Sequence, residues 1–502
     1  MNYKSTRDNN MNVSSAQAIA QGICENGGLF VPENLPRLSY SDLKELQHSS
    51  YAERATRILS LFLSDFTTEE IADCVSSAYT DGKFENDLPA PMSLLQNGKI
   101  NMYMLELWHG PTCAFKDMAL QLLPHLLTRS LQKIHSSKTA VILVATSGDT
   151  GKAALEGFKD VDGTRIQVFY PQNGVSPMQK RQMNTQEGVN VAVCAIEGNF
   201  DDAQTGVKKI FANQKINETF TQNNMMLSSA NSINWGRLLP QIVYYFSAYC
   251  DLMANGEIDF DGEKVNIVVP TGNFGNILAA YYAKKMGLPV NKLICASNSN
   301  NVLTEFLNTG LYNRNRDFHA TISPSMDILV SSNLERLLYD LTDGDSARVA
   351  SWMNELATTG KYQVSEDVLN RIHEIFYAGY CDDKATKAAI KEIYDVENYL
   401  CDTHTAVAVN VYHQYINDTN DAETPTIVVS TASPYKFADS VLNAILENDC
   451  GDETEFEKIN KLAAITGTPI PQQISDLELK SVRFDNLCTK EEMDKVVLKQ
   501  LI

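Results

Sequence analysis

Short apolar runs rich in β-branched residues recur along the chain, and amphipathic stretches fill many of the gaps between them. Eight runs predict strands, at residues 101–105, 140–145, 165–170, 189–195, 225–228, 265–269, 292–296 and 426–430. Most are bounded by Gly, Pro, Asn or Ser. Strand–helix alternation over this length predicts an α/β fold with largely parallel sheets. Eight strands exceed one small sheet, so two α/β domains are expected. Ahead of them, residues 1–97 mix short helical patterns with turns. The stretch 16–27 reads as a helix stopped at Asn26-Gly27-Gly28, followed by an extended Leu29-Phe30-Val31-Pro32. The two prolines of Asp87-Leu88-Pro89-Ala90-Pro91 mark a boundary. Region 310–425 is more polar and less periodic, with helical stretches at 368–377 and 385–393. It reads as a helical insertion between two strands of one sheet. The expected division is therefore 1–97, 98–255 and 256–502.

Composition agrees with this count. At ~150 residues per domain, 502 residues suggest about three domains. A hydrophobic fraction of 44% is that of a core-forming chain. Lys plus Arg total 42 against 62 Asp plus Glu, a formal charge of −20. That balance argues against general binding to nucleic acid or anionic membrane, and it leaves room for a small positive pocket. The ten cysteines are scattered with no CxxC, so neither a zinc ribbon nor a redox pair is expected, and no metal site. The polar stretch Met1–Asn12 is not a secretory signal, and no apolar run approaches the ~18 residues of a membrane span. A reducing cytoplasm is the expected compartment.

Five blocks carry candidate chemistry. In the first, the strand at 265–269 feeds Pro270-Thr271-Gly272-Asn273-Phe274-Gly275-Asn276 and a helix at 277–286. Glycines let backbone amides approach an anion, and a helix N-terminus favours negative charge. A phosphate site and an ordinary strand-to-helix turn fit equally. The glycines are three apart, so this is not a dinucleotide fingerprint. In the second, Thr146-Ser147-Gly148-Asp149-Thr150-Gly151-Lys152-Ala153 invites a P-loop reading. It fails because Ala153 and Thr146 stand where Ser/Thr and Gly are needed. GxSxG also fails, at Ala145 and Asp149. Hydroxyls and amides suited to a carboxylate remain, beside the alternative of simple capping.

The third block, Leu107 to Ala119, places Lys116 between a Gly-Pro turn and an apolar helical stretch at 119–127. Desolvation there would lower its pKa and make it a nucleophile or base, although a lone lysine is usually a surface charge. His109 and Cys113 read as a turn histidine and a small filler. The fourth block, Ser430-Thr431-Ala432-Ser433-Pro434-Tyr435-Lys436-Phe437, puts three hydroxyls at the carboxyl end of a strand, where α/β sheets gather ligands. The fifth, Ser228 to Arg237, offers amides, hydroxyls and one arginine, a set suited to phosphate or carboxylate. Each has capping or a polar loop as its alternative. His373-Glu374 begins HExxH, but Tyr377 replaces the second histidine.

Together these blocks resemble the threonine synthase family, pyridoxal-5′-phosphate enzymes of fold type II with a tryptophan-synthase-β-like fold. The resemblance spans most of the chain. It also takes in Tyr3-Lys4-Ser5-Thr6-Arg7 and Gln21–Pro32, which look like the longer bacterial and fungal branch. It implies two three-layer α/β/α domains with the cofactor between them, plus an N-terminal domain. It implies that Lys116 holds pyridoxal 5′-phosphate through its amine. Gly272, Asn273, Phe274, Gly275 and Asn276 would hold the cofactor phosphate, and Thr431 would face a neutral pyridine nitrogen. Ser147, Gly148, Asp149 and Thr150 would hold the substrate carboxylate. Asn231, Ser232 and Arg237 would reach the substrate phosphate. Many fold-type-II relatives carry Asn where Asp149 stands. The implied reaction converts O-phospho-L-homoserine and water to L-threonine and phosphate by γ-elimination and β-addition of water, the last step of threonine biosynthesis. A monomer is implied. Competing readings are a phospho-lyase or serine/threonine dehydratase of the same fold, and a non-catalytic ligand-binding regulator, which retention of Lys116 argues against.

Overall fold

The computed structural model describes residues 1–80, 82–98, 101–259, 262–448 and 451–502. Its strands in chain order are β1 (Asn2–Ser5), β2 (Asp8–Ser14), β3 (Phe30–Pro32), β4 (Met92–Leu95), β5 (Met102–Glu106), β6 (Thr139–Ala145), β7 (Thr164–Pro171), β8 (Val191–Glu197), β9 (Met225–Ser228), β10 (Val265–Pro270), β11 (Val290–Ser297), β12 (Leu311–Asn313), β13 (Lys361–Gln363), β14 (Phe376–Tyr380), β15 (Thr426–Ser430) and β16 (Leu487–Thr489). All eight predicted strands are present, with ends shifted by at most two residues.

The N-terminal layer is an antiparallel sheet of order β2-β1-β3 with four helices, Ser15–Gln21, Tyr40–Leu46, Tyr51–Phe62 and Thr68–Tyr79. Each helix starts from a reciprocal capping box, with Ser14, Ser39, Ser50 or Thr67 at the cap. The first helix ends earlier than its sequence pattern predicted. Gly22, at φ 74°, closes it by donating to Ala18, and Asn26-Gly27-Gly28 forms a separate turn. The layer shares its core with the rest of the molecule, because the rings of Tyr3 and Phe62 pack 5.4 and 5.7 Å from Trp235.

Two larger sheets follow. One is wholly parallel, in the order β16-β8-β7-β6-β9. The other has the order β14-β11-β10-β15-β5-β4, parallel except for the β4–β5 pair. Every residue of β10 and β15 is buried, as sheets covered by helices on both faces require. Each Val or Ile fully buried there contributes about 1.5–3 kcal/mol. An edge at residue 255 divides the chain but not the sheets. β4 and β5 join the later sheet, and β16 returns to the earlier one.

Region 310–425 is more than an insertion. It supplies β14 to the edge of the six-stranded sheet, and its helix Thr403–Thr419 packs on β10 and β11. The helix expected at 368–377 stops at Ile375, because Phe376 turns to extended backbone (φ −109°, ψ 148°) and begins β14. Cys450 lies outside the described residues, and the other nine cysteines are buried free thiols. No helix among the described residues is long and apolar enough to cross a membrane.

Candidate active site

The carboxyl ends of β5, β6, β10 and β15 converge, and the lysine block is built where they meet. Leu107 continues β5 by donating to Ser430 at 3.0 Å. Thr112 closes the next turn, giving its amide and hydroxyl to the Asp117 carboxylate at 2.8 and 2.6 Å. Cys113 takes a left-handed φ of 56°, Ala114 bridges Ala432, and the Phe115 amide donates to the Thr431 carbonyl at 2.8 Å. These bonds fix Lys116 at the head of a short helix, Asp117–Leu120. The single helix expected at 119–127 is two, the second being Leu123–Lys133.

Lys116 is 9% exposed. Its Nζ lies 3.3 Å from Ser325 Oγ, 3.7 Å from Asp149 Oδ2 and 4.7 Å from the centre of the Phe115 ring. Burial lowers its pKa to about 8. Asp149 opposes that shift, while Lys436 and Arg237 add to it.

The turn after β6 presents Ser147, Gly148, Asp149 and Thr150. Gly148 holds φ 141°, and a Cβ there would meet the Gln179 amide group at 2.3 Å, so both conformation and space require glycine. Gln179 donates to Asp149 Oδ1 at 2.9 Å, and Lys436 Nζ approaches the same oxygen at 2.7 Å. Lys436 is wholly buried and also donates to the Thr112 carbonyl. Burial raises the Asp149 pKa, but Lys436 and Lys116 overcome it and hold the carboxyl well below the usual carboxylate range. The Asp149 side chain is therefore an anion beside two lysines, and Ser147 and Thr150 on the same turn are half-buried.

In the turn after β10 the left-handed residue is Phe274 (φ 61°). Gly272 is required by space instead, since a Cβ would sit 2.6 Å from the Ser325 carbonyl. The helix Gly275–Lys285 has no side-chain cap, which leaves its first amides available to an anion. Asn273 and Asn276 serve the scaffold. Asn333 Nδ2 donates to the Asn273 carbonyl at 3.0 Å, and Asn276 Oδ1 accepts from the hydroxyls of Tyr244 and Tyr245. The same Asn333 amide reaches Ser232 Oγ at 3.1 Å, so the 231–237 loop lies against this turn. Arg237 is buried beside it. Its Nη1 donates to the Ala230 carbonyl at 2.7 Å, no carboxylate pairs with it among the described residues, and burial lowers its pKa to about 10.

A pyridoxal phosphate group needs a buried amine, a phosphate cradle and a partner for its ring nitrogen. Lys116, the uncapped amides at Gly272–Asn276 and the buried hydroxyl residue Thr431 supply that set, and Ser433 Oγ nearby is buried without a partner among the described residues. Four side chains that matter here were not singled out from sequence: Lys436, Gln179, Ser325 and His404. Lys436 stood inside a recognised block, whereas Ser325 and His404 lie in the region of weak periodicity. His109 and Cys113 hold the plain roles expected. His109 sits between Glu106 and Glu85, 2.7 and 2.9 Å away, and the Cys113 thiol is buried.

Comparison with known proteins gives the same picture. Residues 2–79 match the family described as threonine synthase N terminus, 91–366 match pyridoxal-phosphate dependent enzyme, and 405–498 match threonine synthase, C-terminal. Threonine synthase of Saccharomyces cerevisiae is 38% identical, covering 88% of this chain and 89% of its own. Human threonine synthase-like 1 is 40% identical over 97% of this chain, which spans 66% of that longer protein. The solved structure of PLP-bound threonine synthase from Brucella melitensis superposes with a TM-score of 0.86 at 36% identity, over 100% of this chain and 99% of that one. The chain belongs to the threonine synthase family of pyridoxal-phosphate-dependent enzymes.

Proposed function

We propose that this enzyme converts O-phospho-L-homoserine and water to L-threonine and inorganic phosphate. The observation that carries the reading is Arg237, a buried guanidinium with a single carbonyl partner among the described residues, close enough to Lys116 to lower its pKa. A buried charge left without a counter-ion is costly, so the site is built to receive an anion beyond the cofactor's own phosphate. A substrate carrying both carboxylate and phosphate meets that requirement. A plain hydroxy-amino acid carries only the carboxylate, which this reading gives to Ser147 and Thr150, and leaves Arg237 without an anion.

Pyridoxal phosphate, when bound, supplies the electron sink for carbanion chemistry. The protein's own residues supply the rest. Ser147 and Thr150 orient the carboxylate, while Arg237, Asn231 and Ser232 hold the phosphate leaving from Cγ. Lys116 Nζ takes protons from Cα and Cβ as phosphate leaves Cγ, a proton returns to Cγ, water adds its hydroxyl at Cβ while giving up its other proton, and Cα is reprotonated. Lowering its pKa from 10.5 to about 8 raises the neutral fraction at pH 7 from ~0.03% to ~9%. Asp149, held ionised between the two lysines, keeps the amine directed into the site. We further infer a monomer, on the family resemblance alone, and a reducing compartment, which the nine buried free thiols among the described residues support.

The test is incubation with O-phosphohomoserine, reading phosphate and the amino-acid product together. Phosphate with threonine is the expected result. Phosphate with 2-oxobutanoate would assign a phospho-lyase, and no phosphate would refute both.

A further inference from the structure

The turn Pro324–Met326 touches both halves of the site. Its Ser325 hydroxyl accepts from Lys116 Nζ at 3.3 Å, and its Ser325 carbonyl fills the space above Gly272. The turn is held from behind. The Ser325 amide donates to His404 Nε2 at 3.1 Å, so that nitrogen must carry a lone pair and the ring proton sits on Nδ1. Nδ1 lies 2.8 Å from Asp402 Oδ1, and Asp402 also caps the helix Thr403–Thr419 through the His404 and Thr405 amides. Thr403 Oγ1 ties the same helix start to the Ile322 carbonyl at 2.8 Å. His404 is 2% exposed and Asp402 fully buried.

We propose that Ser325 is a further catalytic residue, which aims the reacting amine of Lys116, and that His404, locked by Asp402, is the positioning residue that holds Ser325 in place. The inference rests on Lys116 as the reacting amine of the function proposed above. The geometry gives the reason. A neutral amine has two N–H bonds and one lone pair. Giving one N–H to Ser325 Oγ leaves the lone pair two positions, and the pull of Asp149 on the other N–H selects between them. Asp149 cannot do this alone, since at 3.7 Å it attracts the amine without a close directional bond. The charged groups acting on Lys116 are Asp149, Lys436, Arg237 and Asp117, and neither Ser325 nor His404 alters that count.

The test uses the full-length chain freed of cofactor. The rate at which an amine-acylating reagent modifies Lys116 is followed against pH by peptide mass spectrometry. Ser325→Ala removes an acceptor of the charged amine, so the midpoint is expected to fall. His404→Ala should give the same fall, and Ser325→Ala with His404→Ala together should give no more. His404→Gln keeps an acceptor where Nε2 stood and should hold the wild-type midpoint. With O-phosphohomoserine, Ser325→Ala should lose about tenfold or more in kcat with KM within about twofold. An unchanged midpoint in Ser325→Ala overturns the proposal, as does a His404→Ala shift that persists undiminished in the Ser325→Ala background. Should His404→Ala fail to fold, Ser325→Ala and His404→Gln decide the matter. If the wild-type enzyme releases no phosphate, the functional reading falls, while the acylation profile still decides on Ser325.

Discussion

Replacing Lys436 by methionine tests whether the Asp149 anion is held by a buried partner. The two side chains are 0% and 2% exposed, with Nζ and Oδ1 2.7 Å apart. Removing one member of such a pair leaves a buried charge uncompensated and costs about 3–5 kcal/mol. Lys116 is a poorer substitute at 3.7 Å, and the bond from Lys436 to the Thr112 carbonyl is lost as well. With an unfolding entropy of ~2.1 cal/mol/K per residue over 502 residues, a loss of that size lowers the melting midpoint by ~3–5 °C if the chain unfolds as one unit. Denaturation of cofactor-free protein isolates the effect from ligand binding.

The double change Lys436→Met with Asp149→Asn removes the stranded charge, yet residue 149 can still accept from Gln179. It should recover all but about 1 kcal/mol, a coupling that only interacting residues show. The pH dependence carries a second signature. Asp149 has a depressed folded pKa, so its stabilisation is complete above the unfolded value of about 4 and is lost as pH falls below it. Without Lys436 the folded pKa rises toward the unfolded one, so that acid limb should shrink and end at higher pH. A loss below about 1 kcal/mol in the single variant would refute the reasoning, as would a double variant no more stable than the single one.

Lys116→Ala should fold and lose turnover, and borohydride should fix the cofactor to the wild-type chain but not to the variant; near-normal activity would remove Lys116 from the chemistry. Gly148→Ala forces a Cβ into the Gln179 amide at φ 141° and should cost roughly 2–4 kcal/mol in urea denaturation, whereas an unshifted midpoint would mean that the turn relaxes freely. Burial raises the Asp117 pKa to about 6, against the bonds from Thr112. The folded state then binds its proton more tightly than the unfolded state, so this group's contribution to stability falls by about 3 kcal/mol as pH rises from ~4 to ~6. Asp117→Asn should flatten that part of the stability profile; an unchanged slope would contradict the assignment.

The strands were legible because a parallel strand covered on both faces must be apolar throughout, and 265–269 and 426–430 read that way. β2, with the sequence DNNMNVS, has no fully buried position, and β14 directly follows a helix with no breaker between them. Neither prints a periodic signal. The site divides in the same way. Lys116, 147–150, 272–276 and 431 stand at strand-to-turn junctions that local sequence marks. Lys436 is defined by Asp149, 436 − 149 = 287 residues away, and Ser325 by Lys116, 325 − 116 = 209 residues away. Burial of a polar side chain is decided by partners at that range, and no local pattern records it.

The crossing of β5 into the later sheet bears on how the protein is made. β5 leaves the ribosome long before its parallel partner β15, which begins 426 − 106 = 320 positions further along the chain. At ~5–20 residues per second that is a wait of ~16–64 s. During synthesis the only available neighbour of β5 is β4, so one edge of an apolar strand stays open to other chains. β8 waits in the same way for β16. Both larger sheets are therefore completed late, each by a strand from the last fifth of the sequence.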